Sequence, residues 1–220
     1  MTSNSLLSTI VVLTITTFAL GQNKLVKYNL YDLNKNGKLQ VFNRTLTSFT
    51  DKEQNGVRFS ENAGDGVAWI DGVNFSNGII ELDIKGKDVL QQSFVGVAFH
   101  GKDEKTLDAI YFRPFNFKSS DSVRRIHAVQ YVSHPDFPWD KLREKQNGKY
   151  EKAISSAPDP NDWFHVKIIV AYPHVIVYVN NSMESCLGID KLNDRQNGKI
   201  GLWVGNNSGG DFANLVVTNK

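Results

Sequence analysis

Residues 163–180, "WFHVKIIVAYPHVIVYVN", decide the fold class. Phe164, Val166, Ile168 and Val170 alternate with His165 and Lys167. A period of two is that of a β-strand, whose successive side chains point to opposite faces. One face is apolar and the other carries polar groups, as on a half-buried strand. A second β-rich run, "HVIVYVN" (174–180), follows at once.

Outward from this pair, similar runs bounded by Gly, Asn and Asp recur along the chain. They are "GKLQVF" (37–42), "GVRFS" (56–60), "GVAWI" (66–70), "GIIELDIK" (78–85), "SFVGVAFH" (93–100), "LDAIYFRPF" (107–115), "RRIHAVQYVS" (124–133), "GKIGLWVG" (198–205) and "DFANLVVTN" (211–219). Asn-Gly pairs at 36–37, 55–56, 77–78, 147–148 and 197–198 supply turn signals. About eleven short strands with no helical periodicity before Asp136 predict an all-β, two-sheet antiparallel sandwich of jelly-roll type.

The chain has 220 residues and a formal net charge of +2, with no long basic run. That balance gives no reason to expect nucleic acid or an acidic membrane surface as partner. The first 21 residues carry no charged side chain, and Leu6–Leu20 is too short and Thr-rich for a membrane span. Ala19-Leu20-Gly21 places small residues before a cleavage point. Residues 1–21 are expected to be a secretory signal peptide and 22–220 a single domain, with no membrane insertion after cleavage; an uncleaved anchor is the lesser reading. No Cys follows the apolar run, which excludes a bacterial lipoprotein anchor, and Cys186 alone cannot form an intrachain disulfide or a thiolate metal cluster. A secreted or periplasmic protein of bacterial type fits these features.

The segment 134–162, "HPDFPWDKLREKQNGKYEKAISSAPDPND", interrupts the strand rhythm. A loop this long in a compact domain is usually functional, and Phe137, Trp139 and Tyr150 argue against simple disorder. Within it "PWDKLREK" suits one or two helical turns starting near Pro138.

Neither a metal nor a cofactor is expected. "DLNKNG" (32–37) imitates the start of a calcium loop, but its twelfth position is Asn43 rather than Glu, so an Asn-Gly turn between strands is the simpler reading. The five histidines form no recognised ligand spacing, and phosphate-loop, dinucleotide and nucleophile-elbow motifs are lacking. His165 is expected on the outer face of its strand. Trp163 and Phe212 are expected to be structural, and Trp69 and Trp203 fit either core or binding platform.

The densest mixture of aromatic and polar side chains lies between Tyr111 and Arg143. Arg113, Asn116, His127, Gln130, Tyr131, His134, Trp139 and Arg143 suit a neutral sugar: rings stack on pyranose faces while amides and guanidiniums pair with hydroxyls. Glu81 and Asp83, two apart in "GIIELDIK", share one strand face and form a second-rank pair together with Trp203.

"FVGVAFHG", "NDWFHVKIIVAYPHVIVYVNN" and "GKIGLWVGNNSGGDFANLVV" together resemble the concanavalin A-like lectin/glucanase superfamily. The sequence also looks like the bacterial 3-keto-disaccharide hydrolase-like domains, labelled family 16 glycoside hydrolases. The resemblance implies a curved jelly roll with saccharide against its concave sheet, and would put Glu81 and Asp83 on that face. Laminarinase-type members carry E-x-D-x-E or E-x-D-x-x-E. Here Glu81 and Asp83 match the first two positions, while the third falls on Lys85 or Gly86. Neither supplies the general acid, so the retaining mechanism is not supported. The expectation is a carbohydrate-binding jelly roll. The alternatives are a glycan-processing enzyme using His127 or His134 as base in the same cleft, and a surface module that recognises protein.

Overall fold

A computed structural model describes residues 24–51 and 54–220; the expected signal peptide lies outside them. In chain order the elements are β1 (Lys24–Tyr28), α1 (Leu30–Lys35), β2 (Leu39–Phe42), β3 (Leu46–Thr50), β4 (Asn55–Phe59), β5 (Gly66–Phe75), β6 (Gly78–Lys85), β7 (Val95–Gly101) and β8 (Asp108–Phe112). Then come α2 (Pro114–Phe117), α3 (Ser122–Arg125), β9 (Val129–Ser133), α4 (Trp139–Lys145) and β10 (Glu151–Lys152). The last five are β11 (Trp163–Ala171), β12 (His174–Val179), β13 (Leu187–Asp190), β14 (Gly198–Val204) and β15 (Gly210–Asn219). All the strands expected from sequence are present. β1, β3, β10 and β13 are additional, each being short or weakly patterned.

Two antiparallel sheets face each other. One runs β13-β12-β11-β6-β15-β4-β3, with β1 on the far half of β15; the other runs β10-β9-β8-β7-β14-β5-β2. β15 serves two partners on one side because a bulge at Asn214, with φ of 53°, splits its ladder. Residues 210–213 pair with β4, and residues 215–219 pair with β1.

The core fills the space between the sheets. Ile80, Leu82 and Ile84 of β6 and Val166, Ile168 and Val170 of β11 are all buried. Opposite them, Phe112 of β8 packs edge-on against Phe164 of β11 at 5.3 Å, and Phe117 of α2 meets the same ring at 5.3 Å. Such aromatic pairs favour edge contacts because the ring edge is positive and the face negative.

Three sequence expectations are corrected. α1, α2 and α3 are helices of six, four and four residues before Asp136, too short to display a 3.6-residue period. Asn36-Gly37 ends α1 rather than joining two strands: Asn36 is the C-cap and Gly37, at φ 65°, takes the left-handed conformation that closes a helix. Trp163 is only half-buried, on the outer face of β11 beside Phe49 at 6.1 Å, because it shares the parity of His165 and not that of Phe164. Phe212, by contrast, is fully buried. The turns expected after Pro138 form α4, whose Leu142 is buried.

Candidate functional site

The outer face of the seven-stranded sheet carries a cleft of about 650 Å³. Its floor is set by strand register. Val67 of β5 pairs with Trp203 of β14, and Trp203 pairs with Gly96 of β7. Gly96 pairs with Tyr111 of β8, Tyr111 with Gln130 of β9, and Gln130 with Glu151 of β10. Side chains in one cross-strand row share a face, so Trp203, Tyr111, Gln130 and Glu151 form a continuous strip.

Gly96 makes the strip possible. The rings of Tyr111 and Trp203, on either side of it, meet at 5.1 Å. A Cβ on Gly96 would stand 2.1 Å from Ile110 O and 2.6 Å from Tyr111 Cα, and neither backbone atom can rotate away. Gly96→Ala is therefore expected to lower unfolding free energy by about 1–3 kcal/mol, as overpacking does. Chemical denaturation measures this, and a loss below about 0.5 kcal/mol would contradict the packing described.

At the polar end, Arg113, Arg143 and His127 surround a short run of acceptors. Arg113 donates from Nη2 to Tyr111 Oη at 2.7 Å and to Gln130 Oε1, and from Nη1 to the His127 carbonyl at 2.9 Å. Tyr111 Oη donates to Gln130 Oε1 at 2.8 Å. Arg143 grips the Glu151 carboxylate through Nε at 3.0 Å and Nη2 at 2.8 Å, a bidentate geometry that a planar guanidinium favours. His127 Nδ1 lies 2.8 Å and Arg113 Nη1 3.6 Å from Glu151 Oε2.

Burial raises the Glu151 pKa, but the Arg143 hydrogen bonds and charge, helped by His127 and Arg113, outweigh it and hold the carboxyl below its ordinary value. Burial lowers His127, with the Glu151 charge opposing, so the ring is mainly neutral at pH 7. Burial pushes the Tyr111 phenol up to about 12, so it acts as a hydrogen-bonding group and not as a base.

Short local elements build the walls. Pro114 opens α2, where a proline costs no helical hydrogen bond, and Asn116 Nδ2 reaches the His127 carbonyl at 3.2 Å. Asp121 caps α3 by accepting from Val123 N at 2.8 Å and Arg124 N at 3.4 Å, which turns Arg124 toward Asn116 Oδ1 (3.2 Å) and Phe115 O (2.9 Å). On α4, Trp139 and Arg143 are four apart and so share a face. The Arg143 guanidinium stacks on the Trp139 ring at 5.0 Å while half of Trp139 stays exposed. Phe94 joins Tyr111 at 6.1 Å and Phe115 at 5.4 Å. The opposite rim carries Asn206, Asn207 and His134, whose Nε2 lies 4.0 Å from Asp65.

The structure thus brings Arg113, Asn116, His127, His134, Trp139, Arg143 and Trp203 to one cleft, with Gln130 buried in its floor. Tyr131 is not with them. It pairs with Ile110 on the inward parity and donates to Asp108 Oδ1 at 2.5 Å inside the sandwich. Glu81 and Asp83 are not in this cleft either. β6 belongs to the eight-stranded sheet and points Ile80, Leu82 and Ile84 inward, so its carboxylates face outward from the opposite side of the sandwich. There Asp83 meets His165 Nδ1 at 2.8 Å, together with Asn214 and Gln54. Sequence reasoning did not select Phe94, Glu151 or Asn206. Glu151 belongs to a two-residue strand whose pairing with β9 has no local signal.

No protein-family model matches the sequence and no curated protein does. Solved structures do match. The carbohydrate binding module CBM66 from Bacillus subtilis superposes with a TM-score of 0.58 at 16% identity, covering 82% of this chain and 95% of that one. This chain has the concanavalin A-like lectin/glucanase fold. A native glycosidic hydrolase aligns with a TM-score of 0.55 at 11% identity, covering 90% of this chain and 97% of that one. The VIP36 exoplasmic/lumenal domain in its Ca2+/Man-bound form gives 0.54 at 10% identity, covering 82% of each chain. At these identities the likeness concerns the fold.

Proposed function

We propose that this chain is a secreted carbohydrate-binding protein whose ligand lies in the cleft over β7, β8, β9 and β14. The observation that carries the reading is the cleft's composition. The exposed ring of Trp139 and the half-buried ring of Phe94, over the nearly buried Tyr111 and Trp203, stand beside planar polar groups of Arg113, Arg143, Asn116 and Asn206 in about 650 Å³. Sugars have apolar ring faces and a periphery of hydroxyls, and such a surface meets both. A neighbour of the same fold whose name includes carbohydrate binding supports it. Glu151 is held as an ionised carboxylate under Arg143 and is not a proton donor for hydrolysis.

Glycan-array screening followed by calorimetry is expected to find an oligosaccharide that is bound and returned uncut. Trp139→Ala, at a half-exposed position, is expected to weaken that binding about tenfold or more with little effect on folding. Unchanged affinity in this variant would remove the cleft from consideration.

One observation favours processing as a second reading. His127 is largely neutral and has Nδ1 near Glu151, so its other ring nitrogen is available as a proton acceptor. Sugar release that disappears in His127→Ala would make the protein an enzyme.

A further inference from the structure

We infer that the cleft selects an anionic sugar, one bearing a carboxylate or a sulfate ester, through the excess of three guanidiniums, Arg113, Arg124 and Arg143, over the single carboxylate held among them. The inference rests on the carbohydrate reading above and narrows its ligand class; composition alone had suggested a neutral sugar.

The charge count of the cleft's polar end carries the argument. Arg113, Arg124 and Arg143 line it, and the acid held among them is Glu151. That carboxylate, 2% exposed, is taken by Arg143 at 2.8 Å and shared with Arg113 at 3.6 Å. Two guanidiniums on one carboxylate leave one positive charge over. Arg113 is itself only 5% exposed, and its hydrogen-bond partners are the Tyr111 hydroxyl, the Gln130 amide and the His127 carbonyl, all uncharged. Arg124 adds another charge: its Nε and Nη2 end on Asn116 Oδ1 and Phe115 O, and among the described residues it has no ion pair. Asp121, nearest on the same helix, is engaged by the backbone N–H groups of Val123 and Arg124.

The remaining charges do not cancel this excess. Asp65 is on the other rim, 4.0 Å from His134 and influenced by the buried Arg44 behind it. The buried Arg113 has Glu151 as its counter-charge, so the excess falls on the partly exposed Arg124 and Arg143, where an anionic group in the cleft could meet it.

Hydrogen-bond capacity agrees. The Nη1 groups of Arg124 and Arg143 have no acceptor among the described residues, and Gln130 Nε2 is buried without one. The Gln130 orientation is fixed chemically, because its Oε1 must face the donors of Arg113. The polar end is therefore rich in donors and short of acceptors. An anionic oxygen group on a sugar whose ring lies along Trp139 would meet the charge excess and accept from the Nη1 groups of Arg124 and Arg143, whereas Gln130 Nε2 is sealed beneath the floor.

The test is calorimetry at constant ionic strength with four probes. These are a galacturonate oligosaccharide, its methyl ester, a sulfated dextran oligosaccharide and its unsulfated parent. At least one acidic probe is expected to bind about 10–100-fold more tightly than its neutral partner, the usual range for hydrogen bonds to a charged group. The acidic arm that shows the gap identifies the anion. Arg124→Gln is expected to remove most of the gap. Arg125→Gln, which deletes the same charge outside the cleft, is expected to preserve it. Neutral probes binding as tightly as acidic ones, with binding still weakened by Trp139→Ala, would overturn the anion preference and leave the carbohydrate reading standing. A gap lost equally in both arginine variants would show diffuse attraction and also overturn it. Failure of all four probes to bind would count against both proposals.

Discussion

Glu151→Gln is expected to cost about 3–5 kcal/mol of unfolding free energy, the range found when one member of a buried ion pair is removed. Glu151 is 2% exposed, yet it faces Arg143, His127 and, at 3.6 Å, the equally buried Arg113. The glutamine keeps the shape and an acceptor oxygen but removes the negative charge, leaving Arg113 in the sheet face without a counter-charge. Arg143→Gln is expected to cost less, because a third of Arg143 is exposed and Glu151 would retain Arg113 and His127. The order of the two variants in urea unfolding is the decisive reading. Equal losses would mean that Arg113 does not depend on this carboxylate.

The same group fixes a pH dependence. The folded-state pKa of Glu151 lies below its unfolded value, because Arg143 and its neighbours outweigh the effect of burial. Its contribution is therefore complete above the unfolded value of about 4.3 and is lost as pH falls through the lower, folded one. Wild-type stability should fall through that acid window, and Glu151→Gln should flatten that part of the profile. An unchanged slope between the two would contradict the assignment.

Asp108→Ala is expected to lose a similar amount, about 3–5 kcal/mol, from the opposite side of the same sheet. Asp108 and Lys191 both have side chains of 0% exposure and approach to 3.1 Å, with Arg195 at 3.2 Å from the same oxygen. Its other oxygen accepts from Tyr131 Oη at 2.5 Å and Asn193 Nδ2 at 2.7 Å. Lys191 also meets His100 Nδ1 at 2.5 Å and the Arg195 carbonyl. These contacts tie the connection between β13 and β14 to the inward face of β8 and β9. Without Asp108, two cations remain buried side by side, and burial already lowers the Lys191 pKa. Denaturation together with hydrogen exchange across residues 191–197 tests this. A loss under about 1 kcal/mol, or unchanged protection of that loop, would mean that the network is held by its neutral hydrogen bonds alone.

The candidate site was partly legible before the fold was known. Arg113, Asn116, His127, Trp139 and Arg143 stood out because aromatic and planar polar residues are concentrated between Tyr111 and Arg143, and they do converge. His127 and Gln130, whose odd spacing speaks against a shared strand face, meet around Arg113 because His127 lies before β9 begins and contributes its carbonyl. Tyr131 was misplaced by a single position of strand parity. Glu81 and Asp83 were selected by analogy with a motif, and β6 lies in the sheet opposite the one that carries this cleft. Glu151 could not be found from its neighbours, since two residues of strand carry no periodicity.

Alternation of apolar and polar residues, as along Phe164–Val170, determined that this chain would be a two-sheet sandwich, because that periodicity is a local consequence of strand geometry. The outward direction of Glu81 and Asp83 followed from the same alternation. Only the tertiary structure decided which of the two faces would hold the cleft. It also decided that Trp203, Tyr111, Gln130 and Glu151, drawn from four strands, would stand in one row. Strand order is settled by long-range pairing and by how the two sheets bury each other, and no local stretch of sequence contains that information.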